Sequence, residues 1–296
     1  MSYNDQLVHM QTGSGFIAAL DQSGGSTPKA LKLYGIDDSR YQSNAEMFDL
    51  VHAMRTRIIT NPEFKSGSIL GAILFEDTMD RQIDNQSTSQ YLWFHKQIVP
   101  FLKVDKGLMD ESGGVQLMHP IPDLNDLLNR AKRLDVFGTK MRSVIKAANP
   151  DGIEAIVAQQ FDLARQILSH GLVPIIEPEV DINAPDKRDC EVHLRTALVR
   201  HIDALAADSL VMLKLTLPSE PNYYCGLCNH DKVLKVVALS GGYTRDEANQ
   251  KLAENTGVIA SFSRALTEGL TANSTEAQFT KALGQSIAEI VAASSS

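Results

Sequence analysis

At 296 residues, 43% hydrophobic and 22% charged, the chain has ordinary globular composition and room for one large α/β barrel or two smaller domains. Its net charge of −8 argues against wholesale binding of nucleic acid but allows a local basic pocket. No apolar run is long enough to span a membrane, the opening MSYNDQLVHMQTGSG lacks the plan of a signal peptide, and three cysteines cannot all pair. The cytoplasm is therefore the expected compartment.

Residues 1–15 read as a polar lead-in. The first apolar run, 15–20, ends in Asp21 and a glycine-serine turn, QSGGST, before helical stretches over 28–33 and 44–60. A second run, 68–75, ends in Glu76 and Asp77, and a third, 98–102, leads into Lys103. The amphipathic stretch 122–134 precedes a fourth run, 136–142. Apolar residues at helical spacing from Ile153 to Ile167 predict a helix over 152–168, stopped by Gly171. The fifth run, 172–176, leads into Glu177 and Glu179, and a helical stretch over 190–207 precedes the sixth, 209–217. The seventh, 234–239, ends in Ser240-Gly241-Gly242. A helix over 245–254 leads to the eighth, 258–262, which ends near Arg264. A terminal helix over 276–293 leaves 294–296 as a short disordered tail.

Eight short apolar runs separated mostly by helices predict a parallel α/β fold, and the count points to a closed (β/α)8 TIM barrel. No linker-like shift in composition divides the chain, so one domain over 1–296 is expected. The alternative, a doubly wound open sheet, would be favoured by a GxGxxG after the first strand; the chain has only GSGF before it and SGGS after it.

The sixth run, SLVMLKLTL, places one lysine inside an otherwise apolar strand. Alternation puts Val211, Leu213, Leu215 and Leu217 on one face, and Leu210, Met212, Lys214 and Thr216 on the other. A strand apolar on both sides belongs in a buried sheet. An ammonium there must find partners or give up its proton, and an unprotonated lysine amine attacks ketones and aldehydes. Taken alone, the strand also fits a core lysine paired with a carboxylate, or one reaching water from a strand end.

Active-site residues of such a barrel come from the C-terminal ends of several strands. Seven of the eight ends carry a charged or hydroxyl residue that alternation groups with its strand's expected inward set. Asp21 goes with Ile17 and Ala19, Lys103 with Phe101, and Lys140 and Arg142 with Gly138. Glu177 and Glu179 go with Val173 and Ile175, Lys214 with Met212, Ser240 with Ala238, and Arg264 with Phe262. Each alone is explained by the solvation of loops. Together they bring lysines, arginines and carboxylates to one mouth. Lys140 near Lys214 disfavours a second ammonium, and Glu177 is suited to shuttle protons during dehydration of a carbinolamine. Ser240-Gly241-Gly242 offers backbone N–H groups to an anion, and Arg264 a bidentate grip on phosphate; the glycine pair also fits an ordinary turn.

Cys225 and Cys228 form a CxxC with His230 close behind. A zinc site needs two further ligands, for which Cys190 and His193 are the near candidates. A redox pair normally follows a strand and opens a helix, whereas NYYCGLCN reads as a polar loop. Neither chemistry is expected here, and no metal is assigned.

The segments AALDQSGGST (18–27), LFEDTM (74–79), LKVDKG (102–107), GTKMR (138–142), VPIIEPEV (173–180), LKLTLP (213–218), LSGG (239–242) and SFSRAL (261–266) stand in order along the chain. Over that span it resembles the class I, Schiff-base-forming fructose-bisphosphate aldolases, in their bacterial single-domain form. The resemblance implies reversible cleavage of fructose 1,6-bisphosphate to dihydroxyacetone phosphate and glyceraldehyde 3-phosphate, a step of glycolysis and gluconeogenesis, without a cofactor. It implies Lys214 as the Schiff-base lysine and Glu177 as the acid/base of carbinolamine dehydration, with Glu179 and Lys140 in support. Asp21 would orient Lys214 and help deprotonate the C4 hydroxyl. Ser240, Gly241, Gly242 and Arg264 resemble the C1-phosphate site; Lys103, Ser23 and Ser26 resemble the C6-phosphate side, with Arg142 a basic residue of the same pocket. Two departures stand out. Gln22 follows Asp21 where animal members usually have Glu, and the chain lacks the terminal tyrosine that assists proton exchange on the bound enamine.

Other readings remain beside this one. The same lysine and phosphate grips would serve another ketose bisphosphate, such as tagatose 1,6-bisphosphate. A zinc-dependent aldolase is opposed by the eight histidines, which show no HxxxH spacing. A non-catalytic barrel retained for binding is opposed by the charges at seven strand ends. The expected partners are phosphorylated ketoses and trioses, with neither nucleic acid nor membrane, and a homo-oligomer is compatible with the outer helices.

Overall fold

In a computed structural model that describes residues 3–295, the eight apolar runs become eight parallel strands. They are β1 (Phe16–Leu20), β2 (Ile69–Leu74), β3 (Val99–Lys103), β4 (Gly138–Ile145), β5 (Val173–Val180), β6 (Val211–Thr216), β7 (Val233–Leu239) and β8 (Val258–Ala260). Each strand pairs with the next in sequence. The ring is closed between β8 and β1 by a backbone hydrogen bond from Ala19 N–H to Phe262 O, 3.3 Å long. Strands such as FIAAL and ILGAIL are buried at every residue because one face fills the barrel and the other meets the helices.

Alternation divides the core accordingly. Ile17, Ile73, Phe101, Ile175, Met212 and Val237 pack inside the barrel, while Leu20, Leu74, Leu102, Ile176 and Leu213 pack outside it. Gly138 makes room for the interior: a Cβ there would stand 2.2 Å from Val173 O and 3.0 Å from the Phe101 ring. Phe101 can then be fully buried, which is worth roughly 1.5–3 kcal/mol for a side chain of this kind.

The helices are α1 (Tyr3–Thr12), α2 (Ser26–Leu33), α3 (Asn44–Thr60), α4 (Glu76–Asp80), α5 (Thr88–Lys96), α6 (Leu124–Arg133), α7 (Pro150–Ser169), α8 (Lys187–Asp203), α9 (Cys225–Cys228), α10 (Arg245–Ala253), α11 (Arg264–Thr267) and α12 (Glu276–Ala293). Their starts follow local chemistry. Asn149 caps α7 with Pro150 in the first turn, and Thr275 with Gln278 forms a capping box on α12. No helix among the described residues is long and apolar enough to cross a membrane.

Three expectations, for the lead-in, the CxxC loop and the C-terminal tail, change, and the stretch after β2, for which none was set, is structured. The described part of the polar lead-in is helix α1, which plugs the bottom of the barrel: Met10 joins the interior core and Tyr3 stacks on Phe137 with ring centroids 5.1 Å apart. A plug needs only a few apolar residues, so the segment carries little periodic signal. The stretch after β2 holds α4, α5 and a hairpin pairing Gln82–Ile83 with Gln86–Ser87. Asp84 and Asn85 make its tight turn, both at positive φ. NYYCGLCN is not wholly a loop, since Cys225–Cys228 forms one helical turn, with Cys228 Sγ donating to Tyr224 O. At the C-terminus Ser294 and Ser295 hydroxyls bond back to Ile290 O and Val291 O, and Ser296 lies outside the described residues.

Candidate active site

A cavity of about 810 Å³ opens at the C-terminal ends of the strands. At its floor Lys214 is 4% exposed, with Nζ 3.2 Å from Glu177 Oε1. The other carboxylate oxygen of Glu177 lies 2.9 Å from Lys140 Nζ, and Lys140 also meets Asp21 Oδ2 at 2.7 Å. Two ammoniums and two carboxylates therefore alternate in one buried chain, Lys214–Glu177–Lys140–Asp21. Burial works against the Asp21 carboxylate, but the charges of Lys140 and Lys214 outweigh it and hold its pKa well below the usual carboxylate range. Burial works equally against the Lys140 ammonium, and Asp21 and Glu177 overcome it, raising that pKa. Lys140 is thus a fixed cation. Asp21 has Lys140, not Lys214, as its direct partner.

Strand register explains the meeting of Lys214 and Glu177. The β5–β6 ladder pairs Ile175 with Met212 and Ile176 with Leu213, which brings the next residues, Glu177 and Lys214, side by side on the inner face. Past that point the strands part and side chains replace the ladder. Glu177 N–H donates to Gln160 Oε1 at 2.9 Å, Val180 N–H donates to Thr216 Oγ1 at 2.9 Å, and the Thr216 hydroxyl donates to Val180 O at 2.7 Å. Gln160 is fully buried on α7 and also donates to Ser143 Oγ. The main chain of Glu177 is held on the side where β6 has parted, while the β4 ladder continues on the other, pairing Arg142 with Glu177.

The remaining predicted residues ring the cavity. Lys103 is tied to Asp105, through its carboxylate at 2.7 Å and its carbonyl at 2.9 Å, and Asp105 also accepts from Arg142 N–H. Arg142 pairs with Glu179 at 2.7 Å. Burial pushes the Glu179 carboxyl up despite Arg142, and nearby Glu177 adds to the effect. Ser23 and Ser26 form a hydroxyl-braced turn at the start of α2, where the Ser26 hydroxyl accepts from Ser23 N–H and donates to Ser23 O. Ser240 and Gly241 line the mouth after β7, and Arg264 opens α11. Gly241 sits at φ 60°, where a Cβ would stand 2.7 Å from Ile182, so the turn requires glycine. Gly242 stands behind this lining, with a Cβ position 3.9 Å from an Arg264 guanidinium nitrogen.

Alternation misplaces two of these residues. Ala238 and Phe262, the supposed inward companions of Ser240 and Arg264, pack in the outer core, whereas Val237 points inside and Ile259 packs against the interior cluster. Ser240 and Arg264 reach the cavity because β7 and β8 have ended and turns redirect the chain. The inner-face residue just past β8 is Ser261, buried and lining the cavity, with no partner for its hydroxyl among the described residues.

Sequence reasoning also missed Asp105, Gln160 and Arg55. Arg55 is a buried arginine on α3 whose guanidinium donates to Gln22 O at 2.7 Å. Two of these residues carried a weak signal: a glutamine and an arginine on the apolar sides of predicted helices are costly unless they have partners.

Comparison with known proteins gives the family. The family model described as glycolytic, fructose-bisphosphate aldolase class-I, matches residues 4–221. The Synechocystis protein named fructose-bisphosphate aldolase class 1 is 59% identical over 290 residues, covering 98% of this chain and 97% of its own. Among solved structures, a Plasmodium falciparum fructose-bisphosphate aldolase superposes with a TM-score of 0.74 at 18% identity, over 99% of this chain and 94% of that one. A Corynebacterium glutamicum protein gives 0.55 at 10% identity, over 98% and 92%; these two likenesses speak for the fold alone. By its family match and its close curated relative, the chain belongs to the class I fructose-bisphosphate aldolases.

Proposed function

We propose that this protein cleaves fructose 1,6-bisphosphate reversibly to dihydroxyacetone phosphate and glyceraldehyde 3-phosphate, with Lys214 as the Schiff-base lysine. The observation that carries the assignment is the 3.2 Å approach of the Lys214 amine to a carboxylate at the floor of a cavity flanked by cationic groups. Glu177 takes a proton from the Lys214 ammonium, and the freed amine attacks C2 of the open-chain ketose. As the C–N bond forms, the attacking nitrogen passes one proton to the former carbonyl oxygen, giving a carbinolamine. Glu177 then returns its proton to the departing hydroxyl, water leaves, and a protonated imine remains. Asp21, an anion held ready by Lys140, accepts the C4 hydroxyl proton. The C3–C4 bonding electrons flow to the imine nitrogen, the aldehyde departs, and an enamine stays on Lys214. Protonation at C3 and hydrolysis release dihydroxyacetone phosphate.

Ser240, Gly241 and Arg264 hold the C1 phosphate beside β6, with Gly242 shaping their turn. Lys103, Ser23, Ser26 and Arg142 face the C6 phosphate across the mouth. Lys140 keeps its proton throughout and spaces the two working carboxylates, while Glu179 fixes Arg142. The purified chain assayed with fructose 1,6-bisphosphate in EDTA should turn over at its full rate, and more slowly with tagatose 1,6-bisphosphate. Loss of activity in EDTA, restored by zinc, would refute the covalent route; a preference for the tagatose ester would move the assignment to that substrate.

A further inference from the structure

The barrel is sewn shut between β8 and β1 by few bonds. Besides Ala19 N–H to Phe262 O, no backbone hydrogen bond joins the two strands among the described residues. One register position earlier, Ala260 N–H is taken by Ser294 Oγ at the end of the chain, 3.0 Å away. On the mouth side the seam continues through side chains: the Gln22 amide donates to Ser263 Oγ. This is the one side-chain hydrogen bond among the described residues that ties the β1 turn to the β8 turn. Gln22 is itself gripped from behind. Arg55 donates to the Gln22 carbonyl at 2.7 Å, to Gln22 Oε1 at 3.3 Å and to the Thr78 hydroxyl.

Arg55 is only 1% exposed, and among the described residues no carboxylate lies within ion-pair distance of it. Its Nε has no partner among them. Asp21 and Asp77 act on its charge only from farther away. A buried cation without a counter-ion is a poor way to gain stability, so its value must lie in what it holds. What it holds is specific. Ser23, the next residue after Gln22, belongs to the C6-phosphate side, and Arg264, the next after Ser263, belongs to the C1-phosphate side.

We propose that Arg55 and Gln22 are positioning residues that fix the separation of the two phosphate-gripping turns, and so set the preference for a ketose bisphosphate over a ketose monophosphate. The proposal rests on the phosphate assignments above. A fork of parallel N–H donors suits the task because one rigid group fixes both the main chain and the side chain of Gln22. The amide then carries that fixed position across the seam.

The test compares kcat and KM for fructose 1,6-bisphosphate and fructose 1-phosphate in Gln22→Met, Ser263→Ala, the double variant, Arg55→Met and Arg55→Lys, with Arg264→Ala as reference. Gln22→Met and Ser263→Ala should each raise KM for the bisphosphate about tenfold, the scale of one lost hydrogen bond. The monophosphate should change less than about threefold, because it does not span both turns. The double variant should be no worse than the poorer single one, since both cut the same tie. Arg55→Met should lower the bisphosphate preference at least as far, and Arg55→Lys should not restore it, because one ammonium cannot span Gln22 and Thr78. Equal losses on both substrates, no loss on either, or multiplying effects in the double variant would overturn the proposal. If Arg55→Met does not fold, the two turn variants decide alone. Arg264→Ala separates the two levels: if it spares both substrates, the phosphate assignment itself has failed. If it damages both while the turn variants spare the bisphosphate, only the seam proposal falls.

Discussion

Lys103, Lys140, Arg142, Glu177, Glu179 and Lys214 project from strands β3 to β6, whereas Ser23, Ser26, Ser240, Gly241 and Arg264 lie in or beyond the turns that follow β1, β7 and β8. The first group inherits its positions from a hydrogen-bonded ladder with defined register. The second is placed by glycine turns and a few side-chain bonds. The contrast follows the two tasks. Imine chemistry needs reacting atoms held to a fraction of an ångström, and a strand supplies that. Gripping a phosphate draws on convergent N–H groups, which a turn presents, joined at the C6 side by Lys103 and Arg142 from the strand ends. Changes at Lys140, Glu177 and Lys214 should therefore appear in kcat, and changes in the turn-borne half, with Lys103 and Arg142, in binding.

The largest effect is expected from Lys214→Met. Cleavage should fall to the assay background while thermal unfolding stays cooperative, because methionine fits the apolar strand without leaving a large void. Residual turnover above background would break the comparison at its root.

Lys140→Met removes the cation between Asp21 and Glu177 and leaves two buried carboxylates without it. At neutral pH this should cost about 3–5 kcal/mol of stability, as when one partner of a buried ion pair is lost. The sign of its pH dependence follows from the directions of the shifts. Asp21 is held below its unfolded value of about 3.9, so its contribution is present above about pH 4 and fades as pH falls through the lower folded value. Lys140 is raised above its unfolded value of about 10.4, so its share is complete below that pH and is lost as pH rises through the folded value. Urea titrations should show the full gap between wild type and variant at pH 7 and a narrower gap below about pH 4. A gap independent of pH would mean that the loss is one of packing alone.

Glu177→Gln keeps the shape and removes the proton carrier. Turnover should drop about a hundredfold or more with KM little changed, the scale of a lost general acid/base. A KM effect without a kcat effect would move Glu177 to the binding half. Lys103→Met is the smallest change and the sharpest test of direction. Fructose 1,6-bisphosphate should lose roughly 1.5–3 kcal/mol, about one to two decades in kcat/KM, and fructose 1-phosphate very little. Equal loss on both would show that Lys103 matters through Asp105 and the strand end.

The same division explains how much the sequence could tell. Lys214, Glu177, Lys140 and Asp21 were legible because alternation holds as far as a ladder lasts, and each lies on or just after its strand. Ser240 and Arg264 were named from the strand ends for the wrong reason: alternation grouped them with Ala238 and Phe262, which pack outside the barrel. Gln160 and Arg55 were not legible as functional. Each serves a backbone group far along the chain, Glu177 N–H and Gln22 O, and no local period encodes such a contact. Helix α1 was missed for a related reason, since a plug contributes Met10 and a few ring contacts rather than a continuous apolar face.

The central claim is that Lys214 carries the covalent bond while Lys140, 2.7 Å from Asp21 and 2.9 Å from Glu177, remains a spectator cation. The most direct measurement is borohydride reduction of the intact protein with dihydroxyacetone phosphate, followed by peptide mapping of the modified lysine. The expected result is one adduct per chain on the peptide containing Lys214, absent in Lys214→Met. An adduct on Lys140 or Lys103 would contradict the account.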